Sequence, residues 1–539
     1  MIPSFYGYLA LALLTGLTLW SIAGSQLAAW TQSRALFAGL LGLTIVAAHA
    51  PTLGISQAMP NPDEAQLLAG ALTLRSHFAP WLSVDLSTAG PLSVLPFLIA
   101  PASFLTARWC AALCAALAVT GCWLALTRPR NDALARVAAL PVAAFFVFMQ
   151  DVDLFQFSTE PVAVVLLTLS VCVWMAATAG GDTPLSAGAA CALGLGLGAA
   201  IMAKLQSAPC AAWLAASTGS LMLADARQPW RRRFETGAAL AAGGLAIPLG
   251  FVGLAAIQGV LPDLLSSYGQ NNLDYISRME TSATGYQPSL VWGLNYLLKP
   301  AGAVLLLGLL FAPAYTAAER RTALVAVGWL ATAIVAVVLP GRGFHHYWQL
   351  VFGPMVLALG STLVPAGRWL AARWPAAPGW QRWGRLGLVP LLLALPVIHR
   401  FSSSRDEALT RTLAGITPVQ AAGEKLRSLA APGDMLTVWG WRAELYVQSG
   451  LPQGTREAHT QWLIQEIPQR DYYRQRFLRD LARTKPRFIA DSTGPRDFAY
   501  LDRAKSGHEI FPAFAEIVSR QYDYLGEFQD VRLYLRHDR

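Results

Sequence analysis

"NPDEAQLLAGALTLRSHFAPWLSVDLSTAGPL" runs from Asn61 to Leu92 and carries Asp63, Glu64 and Asp85. The stretch before it, "ALFAGLLGLTIVAAHA" (35–50), has no charged residue at all. Acids set in a loop between segments this apolar place the loop at a membrane surface, because a carboxylate in hydrocarbon is costly unless hydrated, paired or used. The whole chain agrees. Of 539 residues, 54% are hydrophobic and only 14% charged, which excludes an ordinary soluble domain and indicates a polytopic α-helical membrane protein.

Charge is unevenly spread. Residues 1–399 hold 20 Lys/Arg and 14 Asp/Glu, whereas 400–539 hold 21 and 18. This contrast predicts a transmembrane body over 1–399 and a soluble domain over 400–539. The six cysteines, at 110, 114, 122, 172, 191 and 210, all fall in apolar stretches. They read as small core residues rather than a disulfide framework or a metal site. The net charge of +9 does not point to nucleic acid, since the arginines cluster between apolar runs, where they orient a protein in a membrane. Leu9–Trp20 continues without a small-residue cleavage site and reads as a retained helix.

Apolar runs near 4–24, 35–52, 109–127, 137–150, 160–178, 185–203, 206–224, 236–258, 290–312, 322–340, 346–365 and 386–399 are candidate spans, giving about twelve, several shorter than the ~20 residues of a straight span. Between them lie "RPRNDALAR" (128–136), "DARQPWRRR" (225–233), "ERR" (319–321) and "GRWLAARWPAAPGWQRWGR" (367–385). The positive-inside rule puts these four loops in the cytoplasm. Alternation then sends 53–90, 151–159, 259–289, 341–345 and the tail outside. The segment "PLSVLPFLIAPASFL" (91–105), interrupted by Pro96 and Pro101, is expected to be re-entrant or interfacial, because a full crossing would send Arg128–Arg136 outside. In the tail, "DMLTVWGW" (434–441), "PRFIADS" (486–492) and "DVRLYLR" (530–536) read as strands. "YYRQRFLRDLAR" (472–483) and "FPAFAEIVSRQY" (511–522) read as helices. The tail is thus a small extracytoplasmic α/β domain.

Three groups of residues could carry chemistry. Asp63 and Glu64 open a helical stretch after Pro62, where acids favour the positive end of the helix dipole. On the same outer face, however, "QDVDLFQFSTEP" adds Asp151, Asp153 and Glu160. Lys204, in "LGLGLGAAIMAKLQSAP" (193–209), could be an ammonium snorkelling to the interface. Its outer position runs against the positive-inside bias and favours an anionic partner. The third group is "GRGFHHYWQLVFGP" (341–354), with Arg342, His345, His346 and Tyr347. An aromatic belt with one arginine is its ordinary explanation. Adjacent positions on a helix face different ways, so one histidine at most would enter a given site. The absence of H-E-x-x-H and of zinc-type Cys/His spacing argues against zinc. The tail shows no G-x-S-x-G, P-loop or dinucleotide fingerprint.

These pieces, taken in order, resemble the GT-C-fold glycosyltransferases that use polyprenyl-phosphate sugars, in particular the relatives of protein O-mannosyltransferases and of the lipid A aminoarabinose transferase. The matching pieces are "PDEAQLLAGAL", "DLSTAGPL", "GLGLGAAIMAKLQSAP" and "HHYWQLVFGP", over roughly residues 35–365. The resemblance implies an inverting transfer of a sugar to an acceptor hydroxyl on the outer, periplasmic face of a bacterial inner membrane. The donor would be a polyprenyl-phosphate lipid, and the acceptor a glycan, lipid or protein. Asp63 would be the general base, with Glu64 beside it as a second catalytic carboxylate. Lys204, Arg342, His345, His346 and Tyr347 would bind the donor phosphate, and Asp85, Asp151, Asp153 and Glu160 the acceptor or sugar. No cofactor or divalent metal is expected, since one base and several cations meet the chemical need. One departure is the run Thr88–Ala89–Gly90 before Pro91, where lipid-modifying relatives often carry a basic residue. The competing reading is a transporter or flippase of a lipid-linked saccharide, which would predict inverted repeats with broken helices; the sequence shows no such pairing.

Overall fold

The computed structural model describes residues 3–23, 33–53, 61–127, 133–149, 152–178, 183–277, 302, 305–306, 315–342, 344–373 and 419–537. Asp151 and the predicted span 386–399 lie outside these residues, as does nearly all of the predicted span 290–312. The chain divides into two compact units. One comprises 1–54, 111–251 and 273–406, and the other 55–110, 252–272 and 407–539.

The first unit is helical. Among the described residues of the chain, six helices are long and apolar enough to cross a membrane: Arg34–Leu53, Phe104–Thr127, Pro161–Thr178, Trp230–Ile257, Ala317–Val338 and His345–Trp369. Tyr6–Ile22, Leu134–Phe148 and Ala187–Ala203 are apolar but shorter. The fold is that of a polytopic helical membrane protein. Its core is largely alanine, valine and leucine, with aromatic rings packed among them. Phe37 sits between Trp20 and Trp123, with ring centroids 5.4 and 4.6 Å away, and Phe352 packs on Phe145 and Phe146. The buried Trp123 indole donates to Ala135 O at 2.8 Å, so the ring is buried without stranding its N–H. Small residues allow close approach elsewhere. A Cβ at Gly194 or Gly198 would collide with the backbone of Leu240–Gly244, so the helices Ala187–Ala203 and Trp230–Ile257 meet almost backbone to backbone. None of the six cysteines forms a disulfide.

The second unit combines residues 55–110 and 252–272 with the tail. The tail sheet has the order β1-β2-β4-β3: β1 is Leu436–Trp439, β2 Phe488–Asp491, β3 Tyr522–Phe528 and β4 Val531–Arg536. β1 and β2 are parallel, and the other two pairs antiparallel. The three expected strands and both expected helices are present, the helices as Arg470–Thr484 and Pro512–Gln521. β3 was not expected: residue 522 ends the predicted helix but begins this strand. The segment 91–105 forms a 3-10 turn at Pro91–Val94 and a short helix at Leu95–Ile99. Those elements are far short of the ~20 residues of a span, and Ile99 is 86% exposed.

Candidate functional site

In the first unit the sequence builds a buried charge cluster where helices begin and end. The helix Ala187–Ala203 stops at Lys204, whose backbone is extended, and a single 3-10 turn, Leu205–Ser207, leads into Ala208–Ala224. Lys204 is only 4% exposed. Its ammonium donates to Thr159 Oγ1 at 2.6 Å and lies 3.3 Å from Glu160 Oε1. Thr159 Oγ1 also donates to Glu160 at 2.9 Å. The Tyr347 ring lies 5.7 Å from the ammonium, within cation–π range.

His346 completes the cluster. It is buried in the 3-10 turn His345–Trp348. Its Nδ1 is 2.9 and 3.0 Å from the two oxygens of Asp153, and its backbone N–H donates to the same carboxylate at 3.0 Å. Its Nε2 lies 3.9 Å from Glu160 Oε2. Burial pushes the Asp153 carboxyl up, but the charge and hydrogen bonds of His346, helped by His345, win and hold it down to about 2. Phe344 stacks on His346 at 5.5 Å. Tyr347 Oη is 3.3 Å from Tyr275 Oη, and the Arg342 guanidinium lies over the Tyr275 ring at 4.7 Å. Lys204, His346, Asp153 and Glu160, assigned by the sequence to two different tasks, therefore form one buried cluster of basic and acidic side chains. Of the two histidines, His346 is the one gripped by the carboxylates. Thr159 was not anticipated: a threonine beside a glutamate carries no signal until the lysine that it serves is known.

In the second unit, Asn61 caps the helix Pro62–Ser76, accepting from the backbone N–H groups of Asp63 and Glu64 at 2.8 and 3.3 Å. The cap is thus Asn61 rather than the acids, and Asp63 stands half-buried in the first turn. Glu64 is fully buried and takes a charge-assisted bond from Arg108 Nε at 2.5 Å. Arg108 was missed, although a lone arginine in the apolar run "LTARWCAALC" (105–114) is the signal of an intramembrane partner. Asp85 is buried, and both of its oxygens are engaged. Oδ1 accepts from Ser87 N at 2.8 Å, and Oδ2 from Arg476 Nη2 at 2.6 Å and from Ser267 Oγ.

One group of metal-ligating side chains occurs among the described residues: Asp491, His508 and Glu509. Arg532 bonds both carboxylates of that group, which supplies the positive charge a cation would bring.

No protein-family description and no curated protein sequence matches the chain. Among solved structures it superposes on ArnT from Cupriavidus metallidurans bound to undecaprenyl phosphate, with a TM-score of 0.54 and 13% identity over 91% of this chain and 97% of that one. The apo state of the same protein gives a TM-score of 0.51 and 15% identity, covering 91% and 96%. The chain has the GT-C fold. Its hydrophobic pattern preserves that fold at an identity too low for the residues of a site to be matched by sequence alone, so each functional assignment rests on local geometry and chemistry.

Proposed function

We propose that this protein is a membrane glycosyltransferase that moves a sugar from a polyprenyl-phosphate lipid to an acceptor hydroxyl on the periplasmic face of a bacterial inner membrane. The observation that carries the reading is Lys204, a buried cation at a helix break with Thr159, Glu160 and Tyr347 around its ammonium. It belongs to a fold shared with a protein crystallised with undecaprenyl phosphate. Lys204 and His346, with Arg342 at Tyr275, are the groups suited to a lipid phosphate, because charge that grows on a leaving phosphate is stabilised by fixed cations and donors. Glu160 lies against the Lys204 ammonium and Asp153 against the His346 ring, so the two carboxylates orient these groups. Asp63 is the proposed general base, which takes the acceptor proton as the hydroxyl attacks the anomeric carbon and the lipid phosphate departs with inversion. Glu64 serves this carboxylate indirectly, by fixing the first turn of its helix through Arg108. No metal enters the scheme.

The test uses the purified protein with undecaprenyl phosphate as probe and radiolabelled polyprenyl-phosphate sugars as donors. Asp63→Asn is expected to abolish transfer while undecaprenyl phosphate still binds, whereas Lys204→Met is expected to lose that binding. Sugar transfer by Asp63→Asn at the wild-type rate excludes the base role. Movement of an intact lipid-linked saccharide across vesicles without transfer establishes the transporter reading instead.

A further inference from the structure

The loop that follows the Asp63 helix adopts a costly backbone. Trp81 and Ser87 have φ of 62° and 58°, in the left-handed region that residues with a Cβ avoid. Such strain persists only where surrounding structure holds it. Here each strained residue is tied to the tail. Arg456 Nη1 donates to Trp81 O at 2.5 Å, and Trp462 Nε1 donates to Ser87 Oγ at 3.0 Å. Between them, Asp85 N donates to Arg456 O at 2.7 Å, and the Asp85 carboxylate takes Arg476 at 2.6 Å. Arg476 is fully buried and also bonds Glu457 at 2.8 and 3.0 Å. A third segment joins: Ser267, in the π-helical stretch Leu264–Gln270, donates to Asp85, and Asp263 lies 3.1 Å from Arg456 and 3.5 Å from Arg476. The helix that carries Asp63 is held as well, since Thr73 Oγ1 accepts from Gln453 N at 3.0 Å.

We propose that the tail is the mould of the catalytic loop, with Arg476 as a positioning residue that acts through Asp85 to fix the segment 81–87 and the helix 62–76. The inference rests on the reading of Asp63 as the base. A base displaced by about an ångström loses much of its effect, by as much as about a hundredfold. Arg476 touches no substrate in this scheme. Its charge is spent on the loop, and truncation leaves the buried carboxylates of Asp85 and Glu457 without it.

The full-length protein tests this by hydrogen–deuterium exchange over 78–90, by undecaprenyl phosphate affinity, and by consumption of polyprenyl-phosphate sugars in source-cell membranes. Arg476→Ala is expected to deprotect 81–89 and to slow consumption at least about tenfold, with affinity for undecaprenyl phosphate changed less than about twofold. Arg476→Lys, which keeps the charge but not the fork, recovers part of the rate. Asp85→Asn leaves Arg476 paired with Glu457 and is expected to loosen the same amides while β2 and β4 stay protected. It judges the proposal if Arg476→Ala also unravels the sheet. Unchanged protection of 81–89 in Asp85→Asn, or a loosened loop with wild-type consumption, overturns the proposal. Asp63→Asn, run alongside, isolates the other failure: wild-type consumption by that variant refutes the base, while the exchange data judge the clamp separately.

Discussion

At the scale of the residue, removing the Lys204 charge has two separable effects. The ammonium faces Glu160 with almost no solvent, and a buried pair that loses one partner is destabilised by about 3–5 kcal/mol through the charge left behind. Lys204→Met is therefore expected to lower the unfolding temperature, and Lys204→Met with Glu160→Gln to restore most of it, since no unmatched carboxylate remains. Undecaprenyl phosphate binding is expected to stay lost in both variants, so thermal unfolding with and without the lipid separates structure from recognition. His459 offers a second test, in the tail. Burial drives its imidazole down to about 4 from an ordinary 6.5, against a smaller upward pull from Asp85, and the ring stacks on Trp441 at 4.7 Å. Folding thus favours the neutral ring. Its contribution is complete above about pH 6.5 and is lost as pH falls toward 4, because the unfolded chain takes up a proton that the folded one refuses. The full swing is about 3 kcal/mol. His459→Phe is expected to flatten the pH dependence of unfolding between 6.5 and 4.

At the scale of the element, the glycine seam makes the sharpest prediction. Gly198→Val puts a branched side chain where even a Cβ meets Gly244 O, and overpacking of this kind costs about 1–3 kcal/mol or forces the helices apart. The variant is expected to unfold at lower temperature in detergent, while Gly188→Val, which has open space at its Cβ, behaves as wild type. This seam was legible, because "GLGLG" announces close packing whatever its partner. The tail helices were legible for a similar reason: buried residues Tyr473, Arg476, Phe477, Asp480 and Leu481 follow the 3.6-residue stripe. Arg476 and Asp480 fall on that stripe, and charged groups in phase with an apolar face were the available sign of a buried network. Its partners were not available, since Asp85 stands 391 positions from Arg476 and no local pattern links them. β3 escaped because most of its residues are at least partly exposed, so it lacks the alternation that marks a half-buried strand. The charge pattern likewise drew attention to Lys204, His346, Asp153 and Glu160, but their mutual pairing depends on which turns fold together and cannot be inferred from the order of the chain.

At the scale of the molecule, the second unit is assembled from three stretches, 55–110, 252–272 and 407–539, and its polar interior is shared among them. Arg476 and Arg456 meet Asp85 and Asp263 as well as tail residues Glu457 and Asp480. A tail expressed alone, 407–539, keeps the last two carboxylates and loses the first two. It also loses the loop acceptors of two tail donors, Trp81 O for Arg456 Nη1 and Ser87 Oγ for Trp462 Nε1. Hydration repays some of this, because an arginine brought to the surface is no longer desolvated. The fixed geometry that these buried partners impose is not repaid, because water holds a charged group in no single position. The fragment is therefore expected to retain the sheet, whose strands pair within the tail, but to lose amide protection over 453–463 and 470–484 relative to the full chain. Exchange measured on both forms checks this, with β2 and β4 as internal reference. Equal protection of 470–484 in fragment and full chain would show that the tail completes its own interior and that the loop only rests on it.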